Sequence, residues 1–156
     1  MARTLQDELK KRKPFDSLEQ EATLAILRTS DLLENRIARL LRESNLTLSQ
    51  YNVLRILRGE GKPMPCLEVA ARMIQVAPAI TRVIDQLLAL GLITKTQSNH
   101  DRRVFEIELT QDAVRLLKKI DQPILDLHAS LLSNVSKADL TALVRLLEAV
   151  RAGVSD

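Results

Sequence analysis

Thr81 and Arg82 stand on the polar side of an amphipathic segment, and a short way downstream Asp101, Arg102 and Arg103 stand together in a polar turn. Arginine presents a planar fork of donors that matches two acceptors at once, on a guanine edge or on phosphate oxygens. Threonine can donate to a phosphate or lay its methyl against that of thymine. Paired arginines on a projecting turn suit a narrow minor groove, whose enhanced negative potential attracts guanidinium groups. Asp101 beside two cations is out of place for binding an anion unless it pairs with one guanidinium and fixes its direction. Taken alone, each half has a plainer reading, a solvated surface helix or a hydrophilic loop, so the elements that carry these residues must decide.

The helix carrying Thr81 and Arg82 is expected to start at Ala77-Pro78 and run to Leu90, with Gly91 in the left-handed position that ends many helices. Ile80, Val83, Ile84, Leu87 and Leu88 form one apolar face, opposite Pro78, Thr81, Arg82, Asp85 and Ala89. A short helix from about Cys66 to Met73 precedes it, with Leu67, Val69, Ala70 and Met73 available for packing and Ile74-Gln75-Val76 as the turn. Leu92 to Thr96 and the alternating Val104 to Leu109 read as two strands around a tip of turn-forming and charged residues, with Phe105, Ile107 and Leu109 on the buried side. Short helix, turn and second helix form a helix-turn-helix, in which the N-terminal half of the second helix meets base edges. Pro78, Ala79, Thr81 and Arg82 occupy that half, and the arginine-tipped hairpin is a wing. The expected fold class is mostly α with a small β-hairpin wing, a winged helix-turn-helix.

Long helices flank this lobe. Ser17 to Gln20 has capping-box spacing and opens a helix to about Arg42 with a broad leucine stripe. Thr47 to Gln50 repeats the spacing before a helix that buries Val53, Leu54, Ile56 and Leu57 and ends at Gly59 and Gly61. Lys62 to Pro65 reads as a rigid connection. Thr110 caps another long helix, which Pro123 should kink or interrupt, and Ser136 caps the last. These terminal stripes exceed what one small lobe can cover and predict a homodimer through long N- and C-terminal dimerisation helices. The expected organisation is a basic arm over residues 1–16 and one domain over 17–152. Within it, 46–110 form the DNA-binding lobe, and 17–43 and 111–152 the dimerisation helices.

Charge follows the same division. Residues 1–13 hold five Lys/Arg against two acids, residues 14–46 four against six, residues 47–109 eight against six, and residues 110–156 six against six. The positive excess therefore sits on the arm and the reading lobe, as a duplex-binding surface requires. Aromatic residues make up only 2% of the chain, too few for the stacking platforms of single-strand binders. Cys66 stands alone, so no intrachain disulfide forms; no apolar run reaches the roughly 18 residues of a membrane span, and the basic N-terminus lacks an apolar h-region. A cytoplasmic protein without membrane contact is expected. Two dispersed histidines and one cysteine make no zinc site, and no cofactor is expected. There is no phosphate-binding glycine loop, HExxH or nucleophile elbow, so the chain does not read as an enzyme. Cys66 reads as a small packing residue, although a helix start can lower a thiol pKa. His100 reads as a turn residue and His128 as a surface or interface residue.

Residues 46 to 112, from LTLSQYNVLRIL through GLITK to HDRRVFEIELTQD, resemble the multiple-antibiotic-resistance-regulator (MarR) family of transcription factors. The specific parts are TRVIDQLLALGLI and the DRR motif followed by the ending Glu106-Ile107-Glu108-Leu109-Thr110. The resemblance implies that Asp101 braces the wing, Arg103 enters the minor groove and Arg102 touches phosphate. Ala77 and Ala79 stand where family members often have polar residues, which removes a capping or base contact. It also implies a repressor on double-stranded operator DNA that responds to a small aromatic or phenolic effector, for which Tyr51, Arg55 and His128 are the candidate polar groups. Two-fold symmetry predicts a pseudo-palindromic operator with half-sites about one helical turn apart. A winged-helix protein–protein adaptor without DNA affinity is the alternative.

Overall fold

The computed structural model of the protein describes residues 3–75 and 79–155. Pro78, an expected DNA contact, and Ala77 before it lie outside the described residues. The chain divides into two compact units, Met1–Ile120 and Asp121–Asp156.

The first unit opens with α1 (Leu5–Glu8), where Thr4 and Asp7 form a reciprocal capping box. The long α2 (Leu18–Arg42) follows. Ser17 caps it by accepting from the Gln20 N–H at 3.1 Å, but the Gln20 carbonyl accepts from Asp16 N at 2.8 Å rather than from Ser17. The box expected there is thus displaced by one residue, because the glutamine arm reaches the donor just before the cap.

Helix α3 (Leu48–Glu60) has the full box between Thr47 and Gln50 and ends on Gly61 at φ 72°, where a side chain would be strained. Lys62 to Pro65 is more than a connection. Met64–Pro65 is a short strand, β1, and Met64 pairs with Ile107. β2 (Ile93–Gln97) and β3 (Phe105–Leu109) pair antiparallel with Ile93 opposite Leu109 and Gln97 opposite Phe105. The sheet order is β1-β3-β2, all antiparallel. Pro65 lies on an edge, the position that tolerates a residue without an N–H. Buried Met64 anchors this strand in the core, a placement that local turn chemistry does not announce.

Helices α4 (Cys66–Ala71) and α5 (Ile80–Ala89) form the helix-turn-helix. Val83, Ile84 and Leu87 are buried as expected, beside Leu54, Leu57, Val69, Ile93 and Ile107. Leu67 departs from expectation: it is 82% exposed while Val69 is fully buried. Residues two apart on a helix lie about 200° from one another, so a helix this short cannot bury both. Phe105 also departs, being 44% exposed at the outer end of β3 while Ile107 is fully buried.

Three polar side chains set the angles between these elements. Gln50, 6% exposed, accepts from Thr47 N at 3.0 Å and donates to Gln86 Oε1 on α5 at 3.0 Å. Asn52 accepts from Ile74 N at 2.8 Å and holds the turn after α4 against α3. Thr110 donates to the Gly91 carbonyl at 2.8 Å and accepts from Ala113 N at 3.3 Å, joining the end of α5 to the start of α6 (Gln111–Leu131).

The boundary between the units falls within α6, which runs through Pro123 without a break. The interruption expected there is absent; one proline forfeits one backbone bond, and the turns on either side keep theirs. In the second unit α7 (Lys137–Val154) starts at Ser136, whose hydroxyl accepts from Asp139 N at 3.2 Å. Leu125 on α6 and Leu143, Val144, Leu146 and Val150 on α7 are exposed apolar residues.

Gln50→Ala removes a cap and leaves the half-buried Gln86 carbonyl without its partner. It should lower unfolding stability by about 1–3 kcal/mol, read as a urea midpoint. A double-mutant cycle with Gln86→Ala should return a non-additive coupling.

Candidate nucleic-acid interface

α5 exposes Thr81, Arg82 and Asp85 on one face, and the other face is locked in the core. Ala79 is the N-cap of this helix, with φ −127° and ψ 43° rather than the extended backbone of the serine and threonine caps, and its side chain cannot accept from the first turn. The missing capping contact expected at Ala79 is therefore a feature of the structure.

The wing tip spans residues 98–104 between β2 and β3 and is tied to itself. Ser98 N donates to the Val104 carbonyl at 2.8 Å, and Val104 N to the Asp101 carbonyl at 3.0 Å. The buried Ser98 hydroxyl accepts from His100 N at 3.2 Å, and Gln97 Nε2 donates to the Arg102 carbonyl. Asp101 Oδ1 accepts from the Arg103 backbone N–H at 2.9 Å. This corrects the expectation that Asp101 pairs with a guanidinium: it braces the turn through the backbone, as aspartates do in tight turns. Arg102, Arg103 and His100 are exposed.

A groove of about 350 Å³ lies between α4, α5 and the wing, with Thr81, Lys95, Arg103, Leu67, Phe105 and Cys66 among its lining. It brings Thr81 and Arg103 to one surface; Arg82 and Arg102 are not in its lining. Lys95 was not singled out by its own sequence context. Its ammonium lies 4.8 Å from the Phe105 ring centroid, within cation–π range. The signal was the strand alternation: Lys95 shares the period-two face of Ile93, and Phe105 that of Ile107, so both continue the core face outward to the wing.

Burial pushes the Cys66 thiol above its ordinary pKa, and the Lys95 charge draws it only part of the way back. The thiol is therefore protonated at neutral pH, as suits a packing residue. Arg72 at the end of α4 is held by Glu60 at 2.7 Å, and this hydrogen bond and charge lower the Glu60 carboxyl and raise the guanidinium.

Of the candidate effector groups, Tyr51 and Arg55 meet on α3: Arg55 Nη1 donates to the Tyr51 hydroxyl at 3.2 Å, and Arg55 is exposed while Tyr51 is buried. His128 is exposed in the second unit. Among the described residues no cluster of three or more metal-ligating side chains occurs, and no helix is long and apolar enough to cross a membrane.

Residues 46–105 match the sequence pattern of the MarR family. A MarR transcription factor from Planctomyces limnophilus is 38% identical, with 86% of this chain and 98% of that one aligned at a TM-score of 0.67. The chain belongs to the MarR family. Its mostly helical fold with a small antiparallel sheet recurs in other solved structures. A mutant MarR from E. coli complexed with operator DNA aligns at a TM-score of 0.77 and 21% identity, over 86% of this chain and 99% of that one. An organohalide sensing transcriptional regulator in its 2,4-dichlorophenol-bound form aligns at 0.82 and 17%, over 92% and 87%. As a MarR family member this protein is a DNA-binding transcriptional regulator with a winged helix-turn-helix fold, and members of that family are transcription factors rather than enzymes.

Two outcomes follow from the wing and groove. Asp101→Asn retains an acceptor and should keep the Arg103 amide protected in hydrogen exchange, whereas Asp101→Ala should expose it. Lys95→Gln should raise the Cys66 pKa further and slow its alkylation at pH 8, because less thiolate is then present.

Proposed function

We propose that this protein is a sequence-specific, double-stranded DNA-binding repressor that acts as a homodimer. The observation that carries the reading is the exposure of Thr81 and Arg82 on a core-anchored helix beside an arginine-tipped wing. α5 enters the major groove, where Arg82 reads a guanine edge or holds a phosphate and Thr81 donates to phosphate or meets a thymine methyl. Ala79 lets the helix backbone approach closely, and Pro78 belongs to the same contact surface. Arg103 enters the adjoining minor groove, Arg102 takes a phosphate, and Asp101 keeps the turn in shape. The solved complex of a family relative with operator DNA supports this assignment by analogy of fold.

The DNA-binding lobe is residues 46–110, with 17–43 and 111–152 as dimerisation helices and 1–16 as a basic arm. Exposed Leu27 and Leu32 on α2 and Leu143, Val144 and Val150 on α7 support the dimer, since a lone chain would leave them in water. Two reading heads then address a pseudo-palindromic operator with half-sites about one helical turn apart. The effector is a small aromatic or phenolic acid. Arg55 offers it a cation and Tyr51 a hydroxyl, and the dichlorophenol-bound relative supports the class of compound. Release of DNA requires that the effector bind one spacing of the heads more tightly than the other.

Operator binding by Arg82→Ala and Arg103→Ala tests the reading. After selecting a preferred duplex from a random pool, both variants should bind it at least about tenfold more weakly, a loss of roughly 1.4 kcal/mol or more per base contact. Arg82→Ala should also relax sequence preference, with the dimer intact by sedimentation. Binding by both variants equal to the parent, on selected and random duplexes alike, would overturn the assignment.

A further inference from the structure

The groove between α5 and the wing holds two residues with no role in the contacts just described, Lys95 and Phe105. Duplex geometry says what must face it. A helix in the major groove and a wing in the adjoining minor groove straddle one sugar–phosphate strand, the only covalent structure that separates the two grooves. Protein surface between helix and wing therefore meets that strand rather than base edges, and backbone contacts require cations and hydroxyl donors.

The groove has this chemistry. Thr81 lines it from α5, Arg103 from the wing and Lys95 from β2. Lys95 is exposed, and among the described residues no carboxylate lies within ion-pair distance of it. Lining residues Leu67, Ile80, Val104 and Phe105 are apolar, which suits the sugar faces of a strand whose charge lies on its phosphate oxygens. Lysine is a flexible point charge that loses rotamer freedom when it is fixed. Here the fixing is already done by Phe105, one of only three aromatic side chains in the protein and 44% exposed at the wing root. Its ring sits diagonally across the β2–β3 pair, with the ammonium 4.8 Å from the centroid.

We propose that this groove seats the sugar–phosphate strand between the two DNA grooves, with Lys95 as a phosphate contact and Phe105 as the positioning residue that aims it. The proposal rests on the DNA-binding reading above and adds to it a contact that carries affinity without sequence information. An aromatic residue at position 105 thus acts through a cation rather than by stacking on a base.

Salt dependence separates this contact from base recognition. Binding of the selected operator is measured from 50 to 200 mM salt for the parent, Lys95→Gln, Phe105→Leu, Phe105→Tyr and the double variant Lys95→Gln/Phe105→Leu. Loss of one phosphate contact should reduce the magnitude of the log–log salt slope by about 0.9 in Lys95→Gln. Sequence preference should stay that of the parent. Phe105→Leu should weaken binding in the parent background and have no further effect once Lys95 is gone, and Phe105→Tyr should bind like the parent because it keeps the ring. An unchanged slope in Lys95→Gln, or an equal effect of Phe105→Leu in both backgrounds, would overturn the proposal. If that happens while Arg82→Ala and Arg103→Ala still lose operator binding, the strand contact falls and the DNA-binding reading stands. If those two arginine variants also bind like the parent, both fall.

Discussion

The side-chain amide of Gln50 is the interaction on which the reading surface depends. One end closes the first turn of α3, and the other holds Gln86 in the C-terminal half of α5. The core around it is aliphatic, built from leucine, isoleucine and valine with almost no aromatic area. Such packing is strong but non-directional, and it tolerates sliding and rotation of one helix over another. A hydrogen bond between a buried and a half-buried amide does not, because the loss of either partner leaves the other unpaired. Asn52 and Thr110 serve the same purpose at the turn before α5 and at its end. The helix that carries Thr81 and Arg82 is thus oriented through Gln86 and through the residues that follow it by bonds to its neighbours.

Much of this was legible in the residues themselves, for reasons that differ by element. The apolar faces of α3 and α5 follow a helical period strongly enough to predict Val53, Leu54, Val83, Ile84 and Leu87 as core. Capping signals at Thr47, Thr110 and Ser136 are local, and the bonds that satisfy them are local too. What could not be read depends on distant partners. β1 exists because Met64 meets Ile107, a pairing that nothing near Met64 encodes. Leu67 looked like core by composition but lies on the wrong side of a helix of six residues. Lys95 became notable only once β2 and β3 were in register and Phe105 came beneath it.

The distribution of charge partners sharpens the contrast between scaffold and surface. Arg72 is taken up by Glu60 and Glu68 where α3 and α4 come together, and Arg115 by Asp112 in the first turn of α6. Thr81 and Arg82 are exposed on α5, and the wing arginines project from a turn whose single acid is occupied by a backbone N–H. Arg72 and Arg115 carry their own anions within the fold, whereas no ion pair engages Arg82, Arg102 or Arg103 among the described residues.

That backbone brace has a thermodynamic consequence. The tip between β2 and β3 is seven residues long, and a loop of that length without internal bonds would sample many shapes. Fixing it on contact would cost about 1–2 kcal/mol of backbone entropy per ordered residue. Bonds from Ser98, Asp101, Val104 and Gln97 settle most of that ordering when the domain folds. Whatever the arginines meet, they meet from a preorganised turn, so more of the contact energy remains as affinity and less is consumed in giving the loop a shape.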